Sequence, residues 1–383
     1  MSLSILGLAY RRYSDPVPFG LLQPDRLFHL HLLGQTGTGK STLLHNLIWQ
    51  DAKAGRGFCL IDPHGDLAED VHRTIPADHL YWDIADANCR LGYNPLAPVS
   101  ADHRPLVASG LIESLKSQWS DAWGPRMEHL LRYGILALLE QPQADLRDLA
   151  KLFIWKGFRR QVVERITDEQ VRTFWKHEFP AMNYQTSADG VSAITNKLGA
   201  FLAHPLVRRA ICKPKEPLRF RSLMDTGGQL VVNLAKGRLG TDVSNVIGGL
   251  ITASLMNAAL TRHGLPPAAR RPFFLYADEF HSFTTESFAG MLAEARKYGL
   301  GLILAQQHLS QTDKAVRDAL EGNIGSRVVF RVGANDAPLL ERLLPPFSAH
   351  DLTNQANHRA TVQLMLKGER SKPFSASMYP PHR

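Results

Sequence analysis

Apolar residues along the chain follow two kinds of pattern. Six short runs are apolar at nearly consecutive positions: LFHLHLLG (27–34), GFCLIDP (57–63), QLVVNLA (229–235), PFFLYAD (272–278), LGLILAQ (300–306) and SRVVFRV (326–332). Most are β-branched or aromatic, with helical periodicity between several of them, which predicts parallel strands covered on both faces. Between about 99 and 222 the period changes. LVASGLIESLKSQW, MEHLLRYGILALLEQ, DLRDLAKLFI and VSAITNKLGAFLAH carry apolar residues three and four apart, the spacing of amphipathic helices. The pattern predicts an α/β chain with a doubly wound, mostly parallel sheet contributed by residues 1–98 and 223–383, and a large helical insertion domain at 99–222. No internal repeat or low-complexity tract interrupts it. GLPPAARRP (264–272) reads as a surface connection and the proline-rich SMYPPHR as a loosely ordered tail.

Composition narrows the function classes. The chain has 383 residues, 44% of them hydrophobic, enough for one large core or two moderate ones. Cys59, Cys89 and Cys212 are far apart with no CxxC or Cys/His cluster, which excludes a zinc site and a disulfide scaffold and points to the cytoplasm. VIGGLITASLMNAAL (246–260) falls short of the roughly 20 apolar residues of a membrane span, so it reads as a buried helix. MSLSILGLAYRR has its charges after its apolar segment, the wrong order for a secretory signal. The expectation is a cytoplasmic protein without a transmembrane segment. A formal net charge of +8 suits a polyanionic partner.

The chemistry is concentrated at strand ends. GQTGTGKST has the spacing G-x-x-x-x-G-K-S between a predicted strand and a predicted helix. Gly34, Gln35, Thr36, Gly37, Thr38, Gly39, Lys40, Ser41 and Thr42 would wrap a nucleotide: the glycines let backbone N–H groups converge on phosphates and the helix adds its positive end. Lys40 would reach the β and γ phosphates of ATP, and Ser41 would coordinate Mg²⁺. FFLYADEF places Asp278 beside that ion and Glu279 where it can polarise an attacking water, a role that pure binding does not need. LGLILAQQ ends in Gln306 and Gln307, and a glutamine there can sense the γ phosphate. His29 and His31 alternate with leucines and read as packed histidines.

Further motifs extend the likeness. LIDPHGD (60–66), ADEFHSF (277–283), EARKYGLGLILAQQHLSQ (294–311) and NIGSRVVFRVG (323–333) have the order and spacing of the FtsK and HerA superfamily of DNA-pumping ATPases. From about residue 20 to 365 the chain resembles the motor domain of type IV secretion coupling proteins, which carries a helical insertion in a comparable place. The resemblance implies a RecA-like fold and a ring, usually a homo-hexamer, that draws DNA through its pore while hydrolysing ATP at subunit interfaces, in conjugation or related mobile-element transfer. It also implies Gln307 as sensor and an arginine acting on the neighbouring subunit's γ phosphate, a contribution of about 10³ to 10⁵ in rate. Arg296 matches the family position; Arg327 and Arg331, four apart in SRVVFRV, compete with it. Asp62 and His64 match a further motif, where the carboxylate either supports the magnesium shell or caps a loop.

Coupling proteins usually carry N-terminal membrane helices, so the resemblance suggests docking on a separate membrane or secretion-channel subunit, peripheral at the inner membrane. A HerA-like motor working with a nuclease, or a secretion ATPase acting on proteins, are the alternatives. DNA contacts would come from Lys236 and Arg238 in LAKGRLGTD, flanked by glycines, and from an insertion of charge about +6 whose Trp119, Trp123, Trp155 and Trp175 could stack on bases. No base-reading motif is present, so DNA binding should be sequence-tolerant and salt-sensitive.

Overall fold

The computed structural model describes residues 3–11, 13–182, 184–284 and 287–382. They form two compact units. The first takes Met1–Tyr81, Arg221–Ala235 and Ala258–Arg383, the second Trp82–Phe220 and Lys236–Asn257.

An eleven-stranded sheet organises the first unit: β1 Leu3–Arg11, β2 Ser14–Leu22, β3 Leu30–Leu33, β4 Gly57–Asp62, β5 Leu80–Asp83, β6 Gln229–Asn233, β7 Phe273–Ala277, β8 Leu300–Gln306, β9 Ser326–Val329, β10 Arg359–Gln363 and β11 Phe374–Met378, in the order β2-β1-β11-β10-β9-β3-β8-β7-β4-β6-β5. The six strands from β9 to β6 run parallel. They are the six apolar runs of the sequence, and Leu32, Phe58, Leu60, Phe274, Tyr276 and Leu304 along them are fully buried. Antiparallel strands β1, β2, β10 and β11 extend one side.

Several local expectations change. The strand before the phosphate-binding loop starts at Leu30, because His29 has a left-handed backbone (φ 67°). His29 still packs: its ring nitrogens meet the Leu292 carbonyl at 3.0 Å and the Leu302 amide at 3.1 Å, and burial lowers its pKa to about 4. β9 ends at Val329, so Arg327 and Arg331 do not share a strand. The tail is not loose. Helix α1 (Lys40–Lys53) holds it through Asn46, whose Nδ2 donates to the Tyr379 and Pro380 carbonyls at 3.2 and 3.0 Å, and through Trp49, on which His382 stacks at 4.2 Å.

The second unit is helical. Arg104–Gln118, Pro125–Leu139, Arg147–Ile154 and Lys156–Arg165 bury Leu130, Leu131, Ile135, Leu138, Leu149 and Leu152 completely. Its bounds differ from 99–222, since it starts at Trp82 and also takes Lys236–Asn257. That second piece belongs here because the helix Thr241–Leu260 lies close on Arg104–Gln118: a Cβ added at Gly110 would stand 3.2 Å from the Ala253 Cβ. The apolar helix is longer than the 246–260 run suggests. Continuing through Gly264, this helix runs 24 residues and is long and apolar enough to cross a membrane, but 67% of its apolar window is buried within the fold. Trp119 and Trp175 are core residues, 5% and 2% exposed, which removes them as stacking platforms; Trp155 is 59% exposed.

A buried ionic cluster anchors α1 beneath the parallel strands. Arg26 grips Asp51 with two hydrogen bonds of 2.6 and 2.8 Å, Tyr276 Oη donates to Asp51 Oδ2 at 2.5 Å, and Arg56 adds a bond of 2.9 Å. Burial alone would raise the Asp51 pKa; Arg26, Tyr276 and Arg56 together hold it below the usual carboxylate value. Removing one member of such a buried pair costs about 3–5 kcal/mol, because the other charge is left uncompensated. Asp51→Ala should therefore lower stability by about that amount in chemical denaturation. The stabilisation in the wild type is fully present above the unfolded carboxylate pKa and is lost as pH falls through the depressed folded value; a pH-independent difference between the two proteins would contradict this.

Candidate functional site

The phosphate-binding loop spans the gap between β3 and α1. Gly37 (φ 75°) and Gly39 (φ 121°) take backbone conformations that side chains disfavour, and a Cβ on Gly39 would fall 2.9 Å from His358 Nδ1. Lys40 is 6% exposed, and its Nζ donates back to the Gly34 and Gln35 carbonyls at 2.6 and 3.2 Å. Burial pushes its pKa down, against the opposing pull of Glu279 and Asp278.

Strand register brings the acidic groups to this loop. Ala277 of β7 pairs with Ile61 of β4 and with Leu304 of β8, so the next residues, Asp278 and Asp62, emerge side by side. Ser41 Oγ lies 3.5 Å from Asp278 Oδ2. Burial, then Asp62 and Glu279, push the Asp278 pKa up to about 7, with Lys40 opposing. Asp62 itself accepts from the His64 and Ala68 amides at 2.9 and 3.0 Å, so it caps the loop that opens helix α2 (Asp66–Thr74).

Glu279 has a left-handed backbone (φ 44°) and is 6% exposed. A residue without glycine's freedom held there stores strain, a feature that clusters at functional sites. Gln306 pairs with Leu33 in the β8–β3 register, which sets Gln307 beside the loop. Gln307 Nε2 donates to Glu279 Oε1 at 2.8 Å while its Oε1 accepts from Thr36 Oγ1 at 2.9 Å. The side chain thus joins the phosphate-binding loop to the acidic pair. Glu279 Oε2 is buried without a hydrogen bond, 3.5 Å from His281 Nδ1. Gln306 is turned inward to His31 and Thr312.

Thr36, Lys40, Ser41, Asp278, Glu279 and Gln307 line a cavity of about 460 Å³ that also takes in Asp62, His64 and His358. Its chemistry fits a nucleoside triphosphate with a divalent ion: glycine backbone and a buried ammonium for phosphates, and crowded carboxylates, one of them short of a hydrogen bond, for a cation. Among the described residues no group of three or more His, Cys, Asp or Glu forms a metal site by itself. Ser41 and Asp278 would hold the ion jointly with phosphate oxygens. Sequence reasoning missed His358 and the role of His281. His281 lies within the ADEFHSF motif; His358 lies 318 positions after Lys40 with no motif around it, brought in by its amide donating to the Thr38 carbonyl at 2.8 Å.

The arginines separate clearly. Arg327 is buried, donates to the Leu320 and Glu321 carbonyls at 3.3 and 3.1 Å, and is committed within its own chain. Arg331 reaches Gln35 Oε1 at 3.2 Å and the Gln355 carbonyl at 3.3 Å, bracing the loop from behind. Arg296 is exposed on the turn before β8, with its guanidinium 3.3 Å from the centre of the Phe28 ring. Seven strand residues, about 20 Å, separate it from the pocket of its own chain. In the second unit Arg238 donates to the Ala85 carbonyl at 2.7 Å and lies 3.6 Å from Asp83, while Lys236 opens the same helical turn.

The raised Asp278 pKa has a measurable consequence. Unfolded chains lose this proton near pH 4 while the folded chain keeps it to about pH 7, so ionisation costs stability as pH rises across that window. In metal-free protein, Asp278→Asn should raise the thermal midpoint at pH 8 and leave it unchanged at pH 4, where the wild-type carboxyl is protonated in the fold. A lowered midpoint at pH 8 would show that the ionised carboxylate is well compensated.

No protein-family model matches the chain. Among curated proteins it is 24% identical over 385 aligned positions to the type 4 coupling protein DotL of Legionella pneumophila, an alignment covering 80% of this chain and 47% of that protein. The chain therefore spans about half the length of this relative. Among solved structures, the bacterial conjugative coupling protein TrwBdeltaN70 in complex with sulphate has a TM-score of 0.69 at 16% identity, covering 94% of this chain and 87% of that one. The plasmid coupling protein TrwB in complex with ADP and Mg²⁺ gives 0.67 at 17% identity with the same coverage. VirB4 of Thermoanaerobacter pseudethanolicus gives 0.66 at 14% identity, covering 98% and 96%. At these identities the structures speak for the fold, a RecA-like P-loop sheet joined to a helical unit. In sequence and in fold, the chain resembles the FtsK and HerA superfamily and, within it, the motor domain of type IV secretion coupling proteins.

Proposed function

We propose that this chain is an ATPase that assembles into a ring and couples ATP hydrolysis to movement of DNA in conjugative or mobile-element transfer. The observation that carries the enzymatic part is the Thr36–Gln307–Glu279 chain of hydrogen bonds, which ties the group expected to act on water to the loop expected to hold phosphate. The ligands fit: TrwB has been seen with ADP and Mg²⁺ and with a non-hydrolysable ATP analogue. The DNA part is supported by the likeness to conjugative coupling proteins and by the net charge of +8.

Each residue then has a task. Lys40 exchanges the Gly34 and Gln35 carbonyls for the β and γ phosphates. Ser41 and Asp278 would hold Mg²⁺, which would supply positive charge to the phosphate oxygens. Gln307, drawn toward the γ phosphate, releases Glu279 Oε1, and the carboxylate orients the attacking water and takes its proton. Arg296, remote from its own pocket, serves the neighbouring subunit's γ phosphate and ties turnover to assembly. Lys236 and Arg238 supply sequence-tolerant phosphate contacts, and the chain docks on a separate membrane or secretion-channel subunit. A second reading, an assembly or secretion ATPase acting on proteins, predicts turnover indifferent to DNA.

Glu279→Gln should lower kcat by about 10²- to 10⁴-fold with nucleotide affinity retained; unchanged steady-state hydrolysis would remove Glu279 from the chemistry. Arg296→Ala should be inactive alone, and mixing it with inactive Lys40→Ala subunits should restore part of the activity, because the latter supply Arg296 to intact pockets. DNA should stimulate this turnover. Full-rate hydrolysis by a lone subunit at every concentration would overturn the ring.

A further inference from the structure

The second unit holds a cavity of its own, about 470 Å³, at the junction of Pro125–Leu139, Arg147–Ile154 and Lys156–Arg165. Its volume is within the roughly 300–1,000 Å³ of small-molecule sites. Three amide side chains line it, Gln141, Gln143 and Gln161, together with the ring of Phe158. Gln141 is 6% exposed and its Nε2 donates to the Ala137 and Val162 carbonyls at 3.1 and 3.3 Å, which fixes the amide and leaves Oε1 as its remaining polar atom. Asp148 is the acid in the lining. It is occupied: its Oδ1 accepts from Lys151 Nζ at 2.8 Å and its Oδ2 from the Asp145 amide at 3.1 Å. Lys151 Nζ also stands 5.8 Å from the centre of the Phe158 ring. Arg165 and Lys213, both exposed, add two more cations to the lining.

One buried, fixed amide with two exposed ones beside it, one aromatic face and surplus positive charge correspond to the three parts of a nucleotide. Amides pair with donor and acceptor edges of a base, an aromatic ring stacks on its face, and lysine and arginine meet its phosphates. A peptide side chain or a simple anion would leave the amides or the ring without use. In a duplex the base faces and pairing edges are already taken, so the ligand must be unpaired. Trp155, three residues before Phe158 and 59% exposed, offers a second stacking face on the same segment. We propose that this cavity receives one unstacked nucleotide of single-stranded DNA, with the base against Phe158, its edge on the glutamine amides and its phosphates on Arg165 and Lys213. The proposal rests on the DNA-moving function above and adds that the helical unit grips a single strand.

A fluorescent 2-aminopurine placed within oligo-dT, titrated into this chain, tests it. Stacking should change the probe's emission in the wild type. Phe158→Ala should weaken binding about 5- to 100-fold and abolish that change, with DNA-independent ATP hydrolysis and duplex affinity unaltered, and Phe158→Trp should retain both signals. The double variant Arg165→Gln, Lys213→Gln, altered only at exposed positions, should reduce the salt slope of single-strand binding by about 1.4, roughly 0.7 for each phosphate that no longer meets a cation. Single-strand affinity equal to wild type in both Phe158→Ala and the double variant would overturn the proposal while leaving the motor function standing. A wild-type chain that binds no nucleic acid would overturn both.

Discussion

Carboxylates crowded around one buried ammonium set the terms for the whole pocket. Asp62, Asp278 and Glu279 end adjacent parallel strands, and Lys40 is the cation among them, held back on its own loop's carbonyls. Like charges this close inside a protein cannot all ionise cheaply. The chain handles the strain piecemeal: Asp62 takes backbone amides, Glu279 takes Gln307, and Asp278 holds its proton to about pH 7. Each arrangement can be exchanged when a divalent cation and a triphosphate arrive together. Lys40, Glu279 Oε1 and Gln307 are thus already oriented by bonds that a nucleotide could replace.

The sheet makes this possible because parallel strands bring their ends to one edge. Register, fixed by strands buried on both faces, aligns Ile61 with Ala277 and Leu33 with Gln306, and so the residues that follow them share one cavity. The Arg26–Asp51–Tyr276 cluster secures α1 under that edge, since Tyr276 belongs to β7 and Asp51 to the helix that Lys40 begins. Stability and site geometry therefore depend on the same two elements.

Much of this was legible in the sequence, for a physical reason. The six parallel strands have continuous apolar runs, and the phosphate-binding loop, Asp278, Glu279 and Gln307 sit where such runs end. What stayed hidden depends on distant parts of the chain. β10 and β11 carry short, mixed patterns that become strands only between β9 and β1, and the segment entering β10 brings His358 to Gly39 from across the sequence. The tail reads as loose because its holding partners, Asn46 and Trp49, are on α1. In sequence only the match to a family position sets Arg296 ahead of Arg327 and Arg331; burial and local hydrogen bonds tell them apart physically. Helical periodicity likewise could not say which tryptophans face outward, and the second unit's cavity arises between helices that no motif marks.

A cation bound together with nucleotide should relieve the carboxylate crowding. Infrared difference spectroscopy of the chain at pH 6, before and after addition of Mg²⁺ with a non-hydrolysable ATP analogue, reads this directly, since the nucleotide has no carboxyl group of its own. A protonated-carboxyl band should be present in the free chain, disappear on binding and be missing from Asp278→Asn. A band that persists in the complex, or that never existed in the free protein, would contradict it.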